Sequence, residues 1–415
     1  MKLEKYSFGV GDRFAHQGKA QLQAIIQATK QGVEIVPVWN KSHREHTIIH
    51  TEPTSVRSEA DSAVKDLDYK GSYYVDADHI NLTNVDLFMD SSDFFTLDVA
   101  DFIGKTASQN EIDQFVNKNK KYIGKLNIPG IDDNIEITEH NIREIASKVL
   151  DAVKQAGKIY RHIETAKGAD NFITEVSIDE TDLPQSPVEM FFILAAIADE
   201  GIPAQTIAPK FTGRFNKGVD YVGDVPQFET EFNQDLAVIA FAIEKFGLPK
   251  NLKLSVHSGS DKFSIYKPMN KALKKSNAGL HIKTAGTTWL EELIGLASAG
   301  GTGLKIAKDV YRKALSRFDE LCGPYSPVID IDKDKLPEPE EVDTWTAEKF
   351  ANVLRHDQNC DDYNLNVRQL LHVGYKVAAE MQDEYLNVLK QYEQTIAQNV
   401  TENIYQRHIK PIFID

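Results

Sequence analysis

The stretch Ser72-Tyr73-Tyr74-Val75-Asp76-Ala77-Asp78-His79-Ile80 decides how this chain folds. Its aromatic and β-branched run reads as a buried strand, and it closes in two acids and a histidine. Strands that are apolar on both faces belong to parallel sheets covered by helices, and such sheets present functional groups at their carboxyl ends. An Asp directly before a His sets a proton-transfer group beside a metal ligand. Four later segments repeat the design of a hydrophobic run closed by polar, reactive residues.

Working outward, short apolar runs alternate with amphipathic stretches through the first 300 or so residues. The candidate strands are Tyr6–Val10, Val33–Trp39, Tyr73–Ile80, Phe94–Ala100, Phe172–Ile178, Gln205–Phe211, Leu252–His257 and Leu280–Ala285. Helical patterns lie between them, including Gly18–Lys30, His140–Gly157, Ser186–Glu200 and Glu229–Phe246. Gly201-Ile202-Pro203 and Gly247-Leu248-Pro249 stop two of these helices. Eight strands separated by helices predict a (β/α)8 TIM barrel, with a doubly wound sheet as the other solution to the same alternation. The fourth connection, residues 102–170, is too long for one helix and predicts a helical insertion that includes Ser108–Tyr122. The catalytic barrel is expected to span 1–327. The charged, Pro-containing run Asp330–Glu341 then leads into a helical extension, 328–415, packed on the barrel.

Composition narrows the class of function. The 415 residues carry 47 Lys and Arg against 62 Asp and Glu, a net charge of −15. That argues against a nucleic-acid binder, which would show a basic face, and against a polybasic membrane surface. Two cysteines, Cys322 and Cys360, form neither a disulfide framework nor a metal motif, so a cytoplasmic location is expected. The N-terminal residues lack the apolar core of a signal peptide, and no run is long enough to span a membrane. Gly9-Val10-Gly11 has Phe14 where a dinucleotide fingerprint needs glycine, and Gly300-Gly301-Thr302-Gly303 lacks a P-loop ending. No nicotinamide and no ATP are therefore expected.

The predicted carboxyl ends collect the chemistry. Asp76, Asp78 and His79 close the third strand, and Glu175 interrupts the apolar fifth. Lys210 and Arg214 follow the sixth strand, His257, Ser258, Ser260 and Lys262 the seventh, and the eighth carries His281, Lys283 and Thr284. Imidazole and carboxylate are borderline donors, so His79, Glu175, His257 and His281 together suit a divalent ion of the Zn, Mn, Fe or Ni kind. Taken singly, a strand-terminal histidine is more often a hydrogen-bonded structural group, and Glu175 could instead pair with Lys210 or Arg214. Histidines elsewhere, among them His356, His372 and His408, read as surface or packing residues.

Gly11-Asp12-Arg13-Phe14, Pro37-Val38-Trp39-Asn40-Lys41-Ser42, Asp76-Ala77-Asp78-His79-Ile80, Ala208-Pro209-Lys210-Phe211-Thr212-Gly213-Arg214 and Val256-His257-Ser258-Gly259-Ser260-Asp261-Lys262 resemble the tagaturonate epimerase family. The likeness spans roughly residues 6 to 300. It implies interconversion of D-tagaturonate and D-fructuronate in hexuronate catabolism, with a divalent metal. A more distant resemblance to class II, zinc-dependent fructose-bisphosphate aldolases implies proton transfer by Asp78 and metal ligation by His79 and His257. The aldolases' sixth-strand histidine has no counterpart here, so His281 or Glu175 would supply the missing ligand. Lys283 stands where they have Asp, which implies anion binding.

The stereocentre inverted between the two uronates lies β to the ketone, so enolisation acts on the wrong carbon. Retro-aldol cleavage and re-addition, through an enediolate stabilised by the metal, is the economical route. Asp78 and Glu175 are its expected catalytic carboxylates, with Zn the first choice of ion. Asp76, Lys210, Arg214, Ser258, Ser260, Lys262, Lys283 and Thr284 are expected around the substrate. The competing readings are a class II-type aldolase, a metal-dependent sugar isomerase and a silent sugar-acid-binding protein. The expected partner is a small uronate rather than nucleic acid or membrane, and a homo-oligomer through the C-terminal helices stays open.

Overall fold

In the computed structural model, which describes residues 1–105, 107–132, 135–179, 181, 183–284 and 287–415, ten strands form. They are β1 (Tyr6–Gly11), β2 (Val36–Ser42), β3 (Tyr74–Ile80), β4 (Phe94–Asp98), β5 (Gly124–Leu126), β6 (Ile135–Ile137), β7 (Ile173–Ser177), β8 (Thr206–Ala208), β9 (Lys253–His257) and β10 (Leu280–Lys283). All but β5 and β6 close into a parallel barrel in chain order, with β1 paired to both β2 and β10. The chain is thus an α/β, TIM-like barrel with helices between its strands and further helices after them.

Boundaries differ from the sequence expectation for physical reasons. β2 runs three residues further, because its register sets Ser7 opposite Val36 and Gly11 opposite Asn40, which takes Asn40 and Lys41 into the sheet. β8 stops at Ala208, where Pro209 has no N–H to donate to a neighbouring strand. The end of the expected eighth strand, Ala285, lies outside the described residues. The insertion after β4 holds the helix Gln109–Asn119, the antiparallel β5–β6 hairpin and one helix, Glu139–Lys167, that outruns its predicted Gly157 end.

Among the described residues, two apolar cores result. The larger lies between the barrel's outer face and the helices, joining residues such as Val75, Phe95, Ile207 and Leu254 to the helical layer. The smaller consists of Leu3, Val36, Val38, Tyr74, Phe94 and Ile173, a plug at the lower end of the barrel. Above it the interior is polar, and that upper half is where the site is built.

The C-terminal helices pack on the barrel layer. Trp289, on the helix Thr287–Ala299, donates its indole N–H to Leu371 O at 2.7 Å. Thr401 Oγ donates to Ala20 O at 2.9 Å, and Asn270 Nδ2 donates to Ile412 O at 3.0 Å. No described helix is long and apolar enough to cross a membrane.

The helix Glu393–Glu402 touches Thr287–Ala299 at Gly295, where an added Cβ would meet Ile396 Cα at 2.7 Å. Gly295→Val therefore drives two backbones apart, and we expect the free energy of unfolding to drop by about 3 kcal/mol, read as a lower urea midpoint. On the same helix, Glu291 is fully buried and accepts from Asn403 Nδ2 at 3.0 Å. Burial, with Arg368 opposing and Asp261 adding to it, pushes its carboxyl up from 4.5 to about 7. A raised carboxyl favours folding while protonated, so this contribution is complete below pH 4.5 and lost as pH rises through about 7. Denaturant curves of Glu291→Gln should lack a decline of roughly 3 kcal/mol across that window.

Candidate active site

Lys283 crosses the upper barrel from β10. Its Nζ donates to Asp78 Oδ1 at 2.9 Å and Thr96 Oγ at 2.5 Å, and forms ion pairs with Asp76 Oδ2 at 2.7 Å and Glu175 Oε1 at 3.0 Å. The path is open because its register partner on β1 is Gly9. A Cβ there would sit 2.9 Å from Lys283 Cγ and 3.0 Å from Asn40 Nδ2. Three carboxylates around one ammonium shift each other. Burial opposes the ionised forms of Asp78 and Glu175, yet Lys283 and the neighbouring histidines hold both well below the usual carboxylate range. Asp76 is pushed up to about 7, by burial first, with Lys283 opposing and the two other carboxylates adding to the rise.

Local geometry explains how Asp78 and His79 both reach this mouth. Consecutive residues of a regular strand point to opposite faces. Here the register between β3 and β4 shifts between Ala77 and Ile80, and His79 takes a left-handed φ of +53°. Such a bulge re-aims a side chain at modest backbone cost. His79 Nδ1 then lies 2.9 Å from Asp78 Oδ1, and its ring sits 5.1 Å from that of His257 between centroids.

His257, at the end of β9, donates from Nε2 to Glu175 Oε1 at 2.9 Å. Its Nδ1 is buried and pairs with Asp179 Oδ2 at 3.2 Å. Asp179 Oδ1 is 3.8 Å from His79 Nε2. One donor atom each from His79, Asp179 and His257 falls within 4.8 Å of the other two, a separation that suits one divalent ion. Burial disfavours charge on His257, but Asp179 and Glu175 outweigh it and push the ring up to about 9. Asp78 behind His79 and Glu175 behind His257 match the carboxylate–histidine pairings that orient imidazoles where a metal is bound.

The remaining sequence candidates divide by placement. Glu175 is brought to the cluster, but through His257, Thr96 and Lys283 rather than within the three-donor group. His281 sits a layer deeper, with Nδ1 2.8 Å from Ser7 Oγ and its ring 5.2 Å from Phe94, and burial pushes it down to about 3. Asp179 stands in the three-donor group where the sequence expectation has His281. It lies two residues past β7, an acid just beyond a strand end that the sequence reading stops short of. Asp76 is buried against Lys283 and Thr96.

Ser258 Oγ donates to Lys283 O at 2.7 Å, and Thr284 Oγ to Gly9 O at 3.2 Å. Ser260 Oγ accepts from Gly218 N at 3.0 Å. Lys262 is buried with its ammonium on the carbonyls of Asn216, Val219 and Asp261, so it braces a loop instead of facing the mouth. Arg214 is exposed and donates to Ile329 O at 3.2 Å. Lys210 is half-buried, its backbone N–H donating to Gln185 Oε1 at 2.8 Å. Asn40 reads only as a strand end in the sequence, yet its buried amide, beside Lys283, has no partner for either atom.

A family model described as tagaturonate epimerase matches residues 1–412. A tagaturonate/fructuronate epimerase of Thermotoga maritima is 29% identical over 419 residues, covering 97% of this chain and 80% of that protein. Two solved structures of the fructuronate-tagaturonate epimerase from Cohnella laeviribosi share the fold. The one with glycerol has a TM-score of 0.81 at 23% identity, and the native one 0.79 at 22%. Each covers 99% of this chain and 82% of its own.

Lys283→Met would leave Asp76, Asp78 and Glu175 buried without their ammonium. We expect it to lower stability at neutral pH by about 3–5 kcal/mol, measured by urea denaturation.

Proposed function

This chain belongs to the tagaturonate epimerase family and is an epimerase, and on that premise we propose that it interconverts D-tagaturonate and D-fructuronate with a divalent metal, by retro-aldol cleavage and re-addition. The observation that carries the metal is the convergence of one donor atom each from His79, Asp179 and His257 within 4.8 Å of one another. These three residues would hold the ion, and Zn, Mn, Ni or Fe would each accept such donors. When bound, it would supply Lewis acidity, worth several kcal/mol in stabilising developing negative charge.

The chain's own groups account for the rest. Inversion begins with removal of the hydroxyl proton at the stereocentre β to the ketone. The bond to the neighbouring α carbon then breaks, its electron pair passes into an enediolate, and an aldehyde fragment is left. That fragment turns and is re-attacked on its other face, and the proton returns to the new alkoxide. Asp78 is the proton carrier we assign. Its Oδ1 is engaged by His79 and Lys283, and it is the least buried of the three carboxylates around that lysine. Glu175 keeps His257 oriented and, with Lys283, sets the charge of the floor. Asn40 offers an unpaired amide donor and acceptor for substrate hydroxyls. Both cysteines are free, which fits the reducing cytoplasm proposed as the location.

Release of three-carbon fragments would make the chain an aldolase instead. Proton NMR of tagaturonate with metal-stripped protein, before and after adding Zn, Mn or Ni, separates the two. We expect fructuronate only with metal, and no accumulating fragments. Asp179→Asn should weaken metal affinity at least about tenfold in a chelator competition. Asp78→Asn should cut kcat by about 100-fold or more; turnover near wild type in Asp78→Asn would remove the assigned proton carrier.

A further inference from the structure

Asp261 lies four residues after His257 and is fully buried. Its Oδ2 accepts from Arg368 Nη2 at 2.7 Å and faces His356 Nδ1 at 3.1 Å. Its Oδ1 accepts from Thr287 Oγ at 3.1 Å and faces His408 Nε2 at 3.2 Å. Arg368, His356 and His408 all come from the C-terminal helical segment, and all three are buried. The two histidines that read as packing residues in the sequence are thus drawn onto a carboxylate beside the site.

The same segment fastens the loop next to it. Arg368 also donates from Nε to Gly218 O and from Nη1 to Leu354 O. Gly218 N donates to Ser260 Oγ at 3.0 Å, and Lys262 Nζ donates to Asn216 O at 3.1 Å and Val219 O at 2.8 Å. At its other end the Asp261 loop grips the backbone of the cross-barrel lysine. Ser258 N, Gly259 N and Ser258 Oγ donate to Lys283 O at 3.0, 3.2 and 2.7 Å. Five consecutive residues, 258–262, are each bonded, with His257 at one end and the Asp261 cluster near the other.

Burying an ion pair costs several kcal/mol of desolvation per charge, and apolar replacements of such pairs are often neutral or stabilising. A reacting group displaced by about 1 Å can lose about 100-fold in rate. We propose that Asp261 is a positioning residue: held by Arg368, His356 and His408, it lets the C-terminal helices set the placement of His257 and Lys283. This rests on the reading of the barrel mouth as the metal and reaction site.

The test uses the full chain with Asp261→Asn, Arg368→Lys and the mild Thr287→Val. The readouts are kcat and KM, zinc affinity by chelator competition, histidine ring signals in 15N NMR, and melting temperature. In Asp261→Asn we expect kcat to fall about 100-fold with KM within about twofold. Zinc affinity should fall about tenfold, and the His257 ring signals should move. Arg368→Lys keeps the charge but cannot span three partners, so it should retain only part of the wild-type rate. Thr287→Val should lower kcat without lowering the melting temperature. Folded variants with wild-type kcat, zinc affinity and His257 signals overturn the proposal. If Asp261→Asn does not fold, Thr287→Val decides by the same measurements. If the wild-type chain neither binds zinc nor epimerises, the site reading fails. The His257 signals still judge the positioning role: moved in the variants they support it, unmoved they overturn it.

Discussion

Lys283 is the constraint around which the rest of the site is arranged. An ammonium inside a barrel is expensive unless it is paired, and three carboxylates from β3 and β7 pair it. Each carboxylate in turn depends on the lysine, because three buried anions without it would repel one another. The requirement reaches into the neighbouring strand β1, where Gly9 leaves the volume the lysine occupies. It also divides the interior in two, with an apolar plug below and a charged, hydrogen-bonded floor above.

That floor turns ordinary strand ends into an ordered site. Asp78 and Glu175 answer Lys283 on one side and hold His79 and His257 on the other. The two imidazoles therefore face Asp179 with their remaining nitrogens, which makes the three-donor geometry a consequence of the charge balance beneath it. The bulge at His79 is the local distortion that allows it, and the left-handed backbone there is stabilised by the pairings on both sides.

The C-terminal helices belong to this arrangement as well as to the barrel's outer packing. Asp261 ties them to the loop that follows His257, and the loop in turn holds the carbonyl of Lys283. A long-range chain of bonds thus joins residues near 368 and 408 to the floor of the barrel.

The alternation of apolar runs and amphipathic stretches was enough to determine eight parallel strands, because a strand buried on both faces and a helix buried on one leave different periods in the chain. Asp78, His79, Glu175 and His257 were legible for the same reason: a polar group that closes or interrupts an apolar run sits where a parallel barrel collects its chemistry. Glu175 and His281 fall outside the three-donor group, since depth within a barrel follows from register between strands, which a single strand does not encode. Asp179 lies past its strand end, where only the folded loop brings it to His79 and His257. Lys283 reads as an anion binder in the sequence, but that its anions are Asp76, Asp78 and Glu175 was decided by Gly9, a residue more than 270 positions away in the chain. Asp261 is 95 residues from His356 and 107 from Arg368, and only tertiary packing could select these two, with His408, as its neighbours. Local physics determines which segments become strands and helices; which buried charges meet is set by closure of the barrel and the docking of the helices over it.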